Sequence, residues 1–497
     1  MTAKVLMIQG SSSSAGKSLM VTALCRIYAR RGIKIAPFKA QNMSNNAAVC
    51  SDGSEIGRAQ ALQAAASGIA PTSDMNPVVI KPEADSRSQI ILMGRPWQTL
   101  EARSYYEKKK ILWEYVTQSL DRLRETHELV IIEGAGSPVE LNLKRGDIVN
   151  MAVARYAQAP VLLVGDIDRG GIFAQLLGTL WLLDPEERNL LRGFIINKFR
   201  GDLSLFDDGI QIIEQKGGIP VLGVVPYLPG LSLPDEDAVS VEVASRAAQP
   251  ATTSQTDIAI LALPRIANFD DFDSLRAEPG VHIRHIDSLE GLGNPHAIII
   301  PGTKSTMADL YWLRQTGLAE AVIKFANNGG EVVGICGGYQ MLGQSIHDPH
   351  SVESKNNSTD GLGLLPVVTT FAQEKATYQV HAKILNFASL AGEMIQGYEI
   401  HMGETKSQTH WLEILSRSGE QVKVLDGSIS SNGKVWGCYL HGLFANDSFR
   451  HAWLTRLGWQ GEITSQLARF KESLEELANA VEDALSMDLL EKIIWDR

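Results

Sequence analysis

The chain has 497 residues, 44% of them hydrophobic and 21% charged, enough to bury the cores of two or three domains. Its formal net charge of -11 argues against nonspecific nucleic-acid binding, while leaving room for a locally basic pocket that takes an anion. Cys25, Cys50, Cys336 and Cys438 are too scattered for a disulfide framework or a zinc pattern. No apolar run approaches the ~18 residues of a membrane span, and Met1–Gln9 does not read as a leader, so a cytoplasmic protein without membrane partners is expected.

In chain order, apolar runs predict strands at Lys4–Gln9, Ile33–Pro37, Leu129–Glu133, Pro160–Gly165, Gly193–Asn197 and Pro220–Val225. Helical patterns fall at Glu55–Ser67, Tyr105–Arg124, Asp147–Tyr156, Gly171–Leu182 and Leu205–Lys216. That alternation predicts an α/β fold with a mostly parallel sheet over residues 1–233. The stretch 234–256 contains the small, polar run Ser245–Thr256 and reads as a linker. A second α/β pattern, assigned to 257–450, has strands at Ile258–Leu263, Ala297–Ile300, Glu331–Ile335 and Val435–Leu440, and helices from Ser305 and after Gly337. Asp348–Asp360 reads as a surface loop. In the tail, 451–497, Leu474, Leu477, Val481, Leu485 and Leu489 form a helical stripe that should pack on the body, with a homo-oligomer seam left open.

The first predicted strand runs into Gly10-Ser11-Ser12-Ser13-Ser14-Ala15-Gly16-Lys17-Ser18 and then a helix. The interval from Gly10 to Gly16 is one residue longer than in the G-x-x-x-x-G-K-[ST] phosphate loop, but the physics carries over. Small residues turn successive N–H groups inward, the helix start adds positive potential, Lys17 meets phosphate charge and Ser18 offers a hydroxyl to Mg²⁺. The nucleotide candidates are therefore Gly10, Ser14, Ala15, Gly16, Lys17 and Ser18, and ATP with Mg²⁺ is the expected pair. Glu133, closing a predicted strand, is placed to reach the same metal or to be a solvated strand-end acid. Asn197 either reads an adenine edge or forms a turn. Asp166 and Asp168 sit before Gly170-Gly171, where metal, substrate and capping roles are not separable.

In the second half, a buried strand leads into Gly334-Ile335-Cys336-Gly337-Gly338. Small residues around a thiol at a strand end permit a sharp turn that exposes the nucleophile and sets the next N–H where an oxyanion would form. Further on, Trp436-Gly437-Cys438-Tyr439-Leu440-His441-Gly442 ends another strand in a histidine. Cysteine and histidine from two strand ends make a nucleophile and base for acyl transfer; each alone would read as a buried small side chain or a surface imidazole. Gly337 and Gly302, the latter in Pro301-Gly302-Thr303-Lys304-Ser305-Thr306, are the oxyanion candidates.

Together these strings resemble the cobyric acid synthase family of cobalamin biosynthesis. The resemblance rests on Gln9–Ser13, Lys39-Ala40-Gln41-Asn42-Met43-Ser44-Asn45-Asn46, Glu55–Gln60, Met75-Asn76-Pro77, Gly165–Gly171 and Tyr439–Phe444. It implies an N-terminal phosphate-loop domain similar to dethiobiotin synthetase and a C-terminal domain similar to class I glutamine amidotransferases. It also implies ATP- and glutamine-dependent amidation of the b, d, e and g carboxylates of adenosylcobyrinic acid a,c-diamide, with no tightly bound organic cofactor. The a,c-diamide synthase or a related amidoligase is the alternative; a membrane-switch ATPase would carry a lysine where Ser11 stands and would need no thiol. By the same resemblance Cys336 is the nucleophile and His441 its base, and the expected partners are glutamine, ATP and a corrinoid. The polar residues Gln41, Asn42, Ser44 and Asn45 suit a corrinoid's amides and acids, as does Asp166. Asp147 either caps a helix or orients an acyl phosphate. Class I amidotransferases place a glutamate two residues after the histidine; Leu443 stands there, leaving the third member of the triad unassigned.

Overall fold

The computed structural model describes residues 2–84, 87–231, 233–234, 255–354, 356–462 and 464–496. They form two compact units, and neither is continuous in sequence. The first comprises Met1–Met43, Ile56–Leu233 and Phe470–Arg497; the second comprises Ser44–Glu55 and Pro234–Arg469. Of the expected linker at 234–256, residues 235–254 lie outside the described residues.

The strands up to Leu233 are β1 (Lys4–Gly10), β2 (Ile35–Phe38), β3 (Gln41–Met43), β4 (Ala47–Val49), β5 (Glu55–Gly57), β6 (Val78–Ala84), β7 (Arg87–Leu92), β8 (Arg95–Glu101), β9 (Leu129–Glu133), β10 (Val161–Asp166), β11 (Leu191–Phe199) and β12 (Val221–Pro226). The core of the first unit is a six-stranded sheet in the order β12-β11-β10-β1-β9-β2, parallel throughout. Strands buried on both faces need continuous apolar runs, and β1, β9 and β10 supply them. The parallel arrangement aligns the C-terminal ends of β1, β9, β10 and β11, where Gly10, Glu133, Asp166 and Asn197 sit, on one edge of the sheet.

The four-stranded sheet β3-β6-β7-β8 is absent from the sequence reading. Its outer strand β8 is mostly exposed and shows none of the apolar alternation that marks a strand. The helix expected at Glu55–Ser67 begins only at Arg58, because β5 comes first and the Gly57 N–H is taken by Asn76 Oδ1 at 3.0 Å. The stretch expected as a tail is divided: residues to Arg469 belong to the second unit, while Leu474, Leu477, Val481 and Leu485 share one apolar cluster with Leu6, Ile8, Met20 and Leu24 of the first.

The second unit contains β13 (Thr256–Leu261), β14 (Val281–Ile286), β15 (Ala297–Ile300), β16 (Glu331–Ile335), β17 (Ser345–His347), β18 (Ser358–Asp360), β19 (Val368–Ile384), β20 (Met394–Lys406), β21 (Leu412–Arg417), β22 (Glu420–Asp426), β23 (Ser428–Ile429) and β24 (Val435–Cys438). Its principal sheet runs β14-β13-β15-β16-β24-β23, parallel except at β23. Adjacent β16 and β24 pair in register, Ile335 opposite Cys438, which brings Cys336 and the residues just past β24 to the same edge. A second, largely antiparallel sheet is built on the long hairpin β19–β20, which periodicity did not reveal. Trp411, Trp436 and Trp453 are fully buried, and the indole N–H groups of Trp436 and Trp453 both donate to Glu331, giving that buried carboxylate partners.

Candidate functional sites

In the first unit, β1 ends at Gly10, the loop turns through left-handed Ser14 and Gly16, and the helix Lys17–Arg30 begins. A β-carbon on Gly10 would lie 2.8 Å from the Ser12 carbonyl and 3.0 Å from Lys17 Nζ, so the loop closes tightly around the lysine. Lys17 Nζ donates to the carbonyls of Ser12 and Gly136, at 3.1 and 3.2 Å. Ser18 Oγ donates to Glu133 Oε1 at 2.8 Å, so the two residues expected at a metal meet. Glu133 is fully buried and also accepts from Lys39 Nζ at 2.8 Å and from the Gln63 amide. A hydroxyl and a carboxylate side by side at the start of a phosphate-loop helix form an oxygen donor set that suits Mg²⁺.

Asn197 is near this loop, but its Nδ2 donates to the Ala15 carbonyl at 2.9 Å, and a β-carbon on Gly16 would strike it. The amide thus braces the phosphate loop; it also lines a small cavity with Leu19, Met20, Val225 and Tyr227. Asp166 is taken up structurally: one oxygen accepts from Lys198 Nζ at 2.9 Å and the other from the Asp168 N–H at 3.0 Å. Asp168 pairs with Arg200. Asp147 caps the turn before the helix Met151–Ala157, accepting the N–H groups of Val149, Asn150 and Ala152 at 2.8–2.9 Å. The helix expected from Asp147 therefore starts later, behind that cap.

Beside the phosphate loop is a cavity of about 610 Å³, lined among others by Ser13, Gln41, Gly136 and Asn150. Tyr105, Lys109 and Asp147 also face it, and the Tyr105 hydroxyl bonds Gln41. Burial lowers the pKa of Lys109, and Asp147 opposes that shift. The polar string Gln41–Asn46 divides here. Gln41 lines the cavity, and Asn42 is buried against Gln60 at 3.3 Å. Ser44 and Asn45 belong to the other unit, where Ser44 Oγ accepts the Asn46 N–H at 3.0 Å.

In the second unit, β16 leads into Cys336, whose backbone is held at φ 50, ψ -108. Such a conformation is costly for a side-chain-bearing residue, and it is imposed from both sides. The Cys336 N–H donates to the Cys438 carbonyl at 2.9 Å, and the helix Gly337–Leu342 starts at once. A β-carbon on Gly338 would lie 1.9 Å from the Ile300 carbonyl, so only glycine lets this turn seat against the neighbouring strand end. The thiol is 7% exposed, with Sγ 3.6 Å from the Ile400 carbonyl.

His441, just past β24, is 1% exposed. Its Nδ1 is 2.7 Å from Asp271 Oδ2, and the other oxygen of Asp271 accepts the Gly442 N–H at 2.8 Å. The two-point grip fixes both the ring and the backbone beside it. Burial by itself would lower the imidazole's pKa; the Asp271 carboxylate, with help from the Cys336 sulfur that bonds the ring, outweighs burial and raises it to about 10. Asp271 lies in the short 3₁₀ turn Phe269–Phe272 and is the third group that sequence reasoning did not assign. Its sequence, Asn268-Phe269-Asp270-Asp271-Phe272, carries no catalytic signature; a pair of acids between buried aromatics was the available signal.

Gly302 lies against the ring: a β-carbon there would be 3.0 Å from His441 Cε1. Its carbonyl accepts the Ala267 N–H at 2.9 Å, tying the loop to the strand of residues leading to Asp271. Gly337 is packed against Thr303 of the same loop, so the segments carrying the two oxyanion candidates are in contact.

Comparison with known proteins agrees with both halves. Residues 6–241 match the CobQ/CobB/MinD/ParA nucleotide binding domain, and residues 257–449 match the CobB/CobQ-like glutamine amidotransferase domain. A cobyric acid synthase from Chloroflexus aggregans is 55% identical over 99% of both chains. The chain belongs to the cobyric acid synthase family. Relatives of the same name from Herpetosiphon aurantiacus and Sorangium cellulosum are 54% and 49% identical, each over 99% of both chains. Membership makes the chain an enzyme with an α/β nucleotide-binding half and an amidotransferase half. Among the described residues no helix is long and apolar enough to cross a membrane.

Proposed function

We propose that the protein amidates corrinoid carboxylates, adding amides at the b, d, e and g positions of adenosylcobyrinic acid a,c-diamide with glutamine as nitrogen donor and ATP as the energy source. The observation that carries the reading is the Cys336–His441–Asp271 arrangement in a chain that also holds a phosphate loop with Ser18 against Glu133. Its membership of the cobyric acid synthase family selects the substrate class.

At the thiol site, Cys336 Sγ attacks the glutamine carboxamide carbon and the carbonyl electrons move to oxygen. The N–H groups of Gly337 and the Gly302 loop face the oxyanion. His441, oriented by Asp271, gives its proton to the departing nitrogen, which leaves as ammonia, and water later cleaves the thioester to glutamate. At the phosphate site, Lys17 and the loop N–H groups hold ATP; Ser18 and Glu133 would hold Mg²⁺, which would supply neutralisation of phosphate charge. A corrinoid carboxylate in the cavity beside Ser13 and Gly136 attacks the γ-phosphorus and expels ADP. Ammonia then displaces phosphate from the acyl phosphate, a far better leaving group than an oxide.

The reading is tested by replacing Cys336 with alanine and supplying either glutamine or ammonium. Glutamine-dependent amidation should fall by ~10³-fold or more while ammonium-dependent amidation persists. Loss with both donors would assign Cys336 to the fold or to the phosphate site. Carboxylate activation is checked separately with oxygen-18 in the corrinoid carboxylates. The label should appear in released phosphate, and unlabelled phosphate would exclude the acyl phosphate.

A further inference from the structure

The segment Ser44–Glu55 is encoded inside the region matched by the nucleotide-binding domain, yet it packs in the unit that carries the thiol site. The match to the amidotransferase domain, 257–449, does not include it. Its contacts converge on the residues around Cys336 and His441. Asn46, 1% exposed, accepts the Phe269 N–H on Oδ1 at 3.3 Å, and the Ala47 N–H donates to Asn268 Oδ1 at 3.0 Å. The two bonds pin the first residues of the turn that presents Asp271.

Because Asn268 spends its oxygen on Ala47, its Nδ2 is the atom that faces His441 Nε2, 3.3 Å away. Asn268 itself sits at φ 52, a left-handed conformation that asparagine tolerates better than most residues. The apolar side of the segment adds a second line of contact. Ala47 and Val49 cluster with Ile400 and Tyr398. Tyr398 stacks on the His441 ring with centroids 5.2 Å apart and planes 15° from parallel, while the Ile400 carbonyl faces the thiol. The far end is fastened by Gln379 Nε2 donating to the Val49 carbonyl at 2.9 Å and by Lys375 pairing with Glu55 at 2.5 Å.

We propose that Ser44–Glu55 is a positioning element of the thiol site, with Asn46 and Asn268 as positioning residues that set the turn holding Asp271 and His441. The amidotransferase unit is therefore incomplete without a piece of chain supplied by the nucleotide-binding half of the sequence. The inference rests on the reading of Cys336 as the glutamine-cleaving nucleophile.

The test is Asn46→Ala in the full chain, assayed with glutamine and with ammonium alongside Cys336→Ala. Misplacing His441 should slow the chemical step without weakening glutamine binding. Glutamine-dependent kcat is expected to fall ~10-fold or more, with KM for glutamine and the ammonium-dependent rate within ~2-fold of wild type. Gln379→Ala, which releases the segment at Val49 and leaves the Asn46 bond to Phe269 in place, should shift the same kcat by a smaller factor and provides the measurement if Asn46→Ala does not fold. An unchanged glutamine-dependent kcat in a folded variant, or equal losses with both nitrogen donors, would overturn the proposal. If Cys336→Ala retains glutamine-dependent activity, the underlying reading fails; if it loses that activity while Asn46→Ala does not, only the positioning element fails.

Discussion

The thiol site and the phosphate site both lie at C-terminal edges of parallel sheets, but they hold their charges differently. At the first, Asp271, His441 and Cys336 are 5%, 1% and 7% exposed and satisfy one another. At the second, Lys17 donates to two backbone carbonyls, which are neutral acceptors. A phosphate oxygen carries more charge than a carbonyl and would displace them readily. The polar groups of the thiol site are thus paired with one another, whereas Lys17 in the phosphate loop is held by neutral acceptors. In the backbone the two sites agree: each turn depends on a glycine that cannot carry a side chain, Gly338 behind Cys336 and Gly16 in the phosphate loop.

The largest effect that separates the two sites is expected from Asp271→Asn. It keeps the shape but removes the charge that orients and charges His441, so glutamine-dependent kcat should fall by ~10²–10⁴-fold with ammonium-dependent amidation retained. The same variant has a stability signature. The imidazole is raised from 6.5 to about 10 in the fold, so its contribution is fully present below 6.5 and is lost as pH rises through about 10. Melting temperature in the wild type should therefore decline across that window, and the decline should flatten in Asp271→Asn. A wild-type curve that rises there would contradict the coupling of Asp271 to His441.

Lys17→Ala should act in the opposite pattern. Amidation is expected to drop ~10²–10³-fold with either nitrogen donor, because in the proposed mechanism the carboxylate is activated at the phosphate site whatever the source of ammonia. If ammonium-dependent amidation survives Lys17→Ala, the phosphate loop is not where the carboxylate is activated. The smallest effect concerns the tail: Glu482 pairs with Arg30 and Arg31, all partly exposed. Glu482→Gln should cost less than ~1 kcal/mol in urea unfolding, since solvent screens such pairs. A much larger loss would mean that the tail is held by charge and not by the Leu474–Leu485 stripe.

Much of this was legible beforehand where residues act through local geometry. The strand–loop–helix at Gly10–Ser18 and the strand end at Cys336 are short-range devices, readable because small residues, a turn and one reactive group must be adjacent. The meander β6–β8 and the hairpin β19–β20 were not legible, because their strands are stabilised by cross-strand pairing and carry weak alternation of their own. Asp166 and Asn197 stand where a strand-end reading puts them, yet their polar atoms bond Lys198 and the Ala15 carbonyl, partners that only the fold brings near.

Sequence alone determined the two α/β halves, the strand-end positions of Cys336 and His441, and the phosphate loop, because each is encoded in a contiguous string whose backbone dictates its shape. Tertiary structure decided which carboxylate pairs with His441 and the ownership of Ser44–Glu55. Asp271 reaches His441 from a distant turn, and a twelve-residue span crosses from one half of the sequence to the other unit. Contacts of that kind are fixed by packing between segments far apart in the chain, and no local pattern of residues announces them.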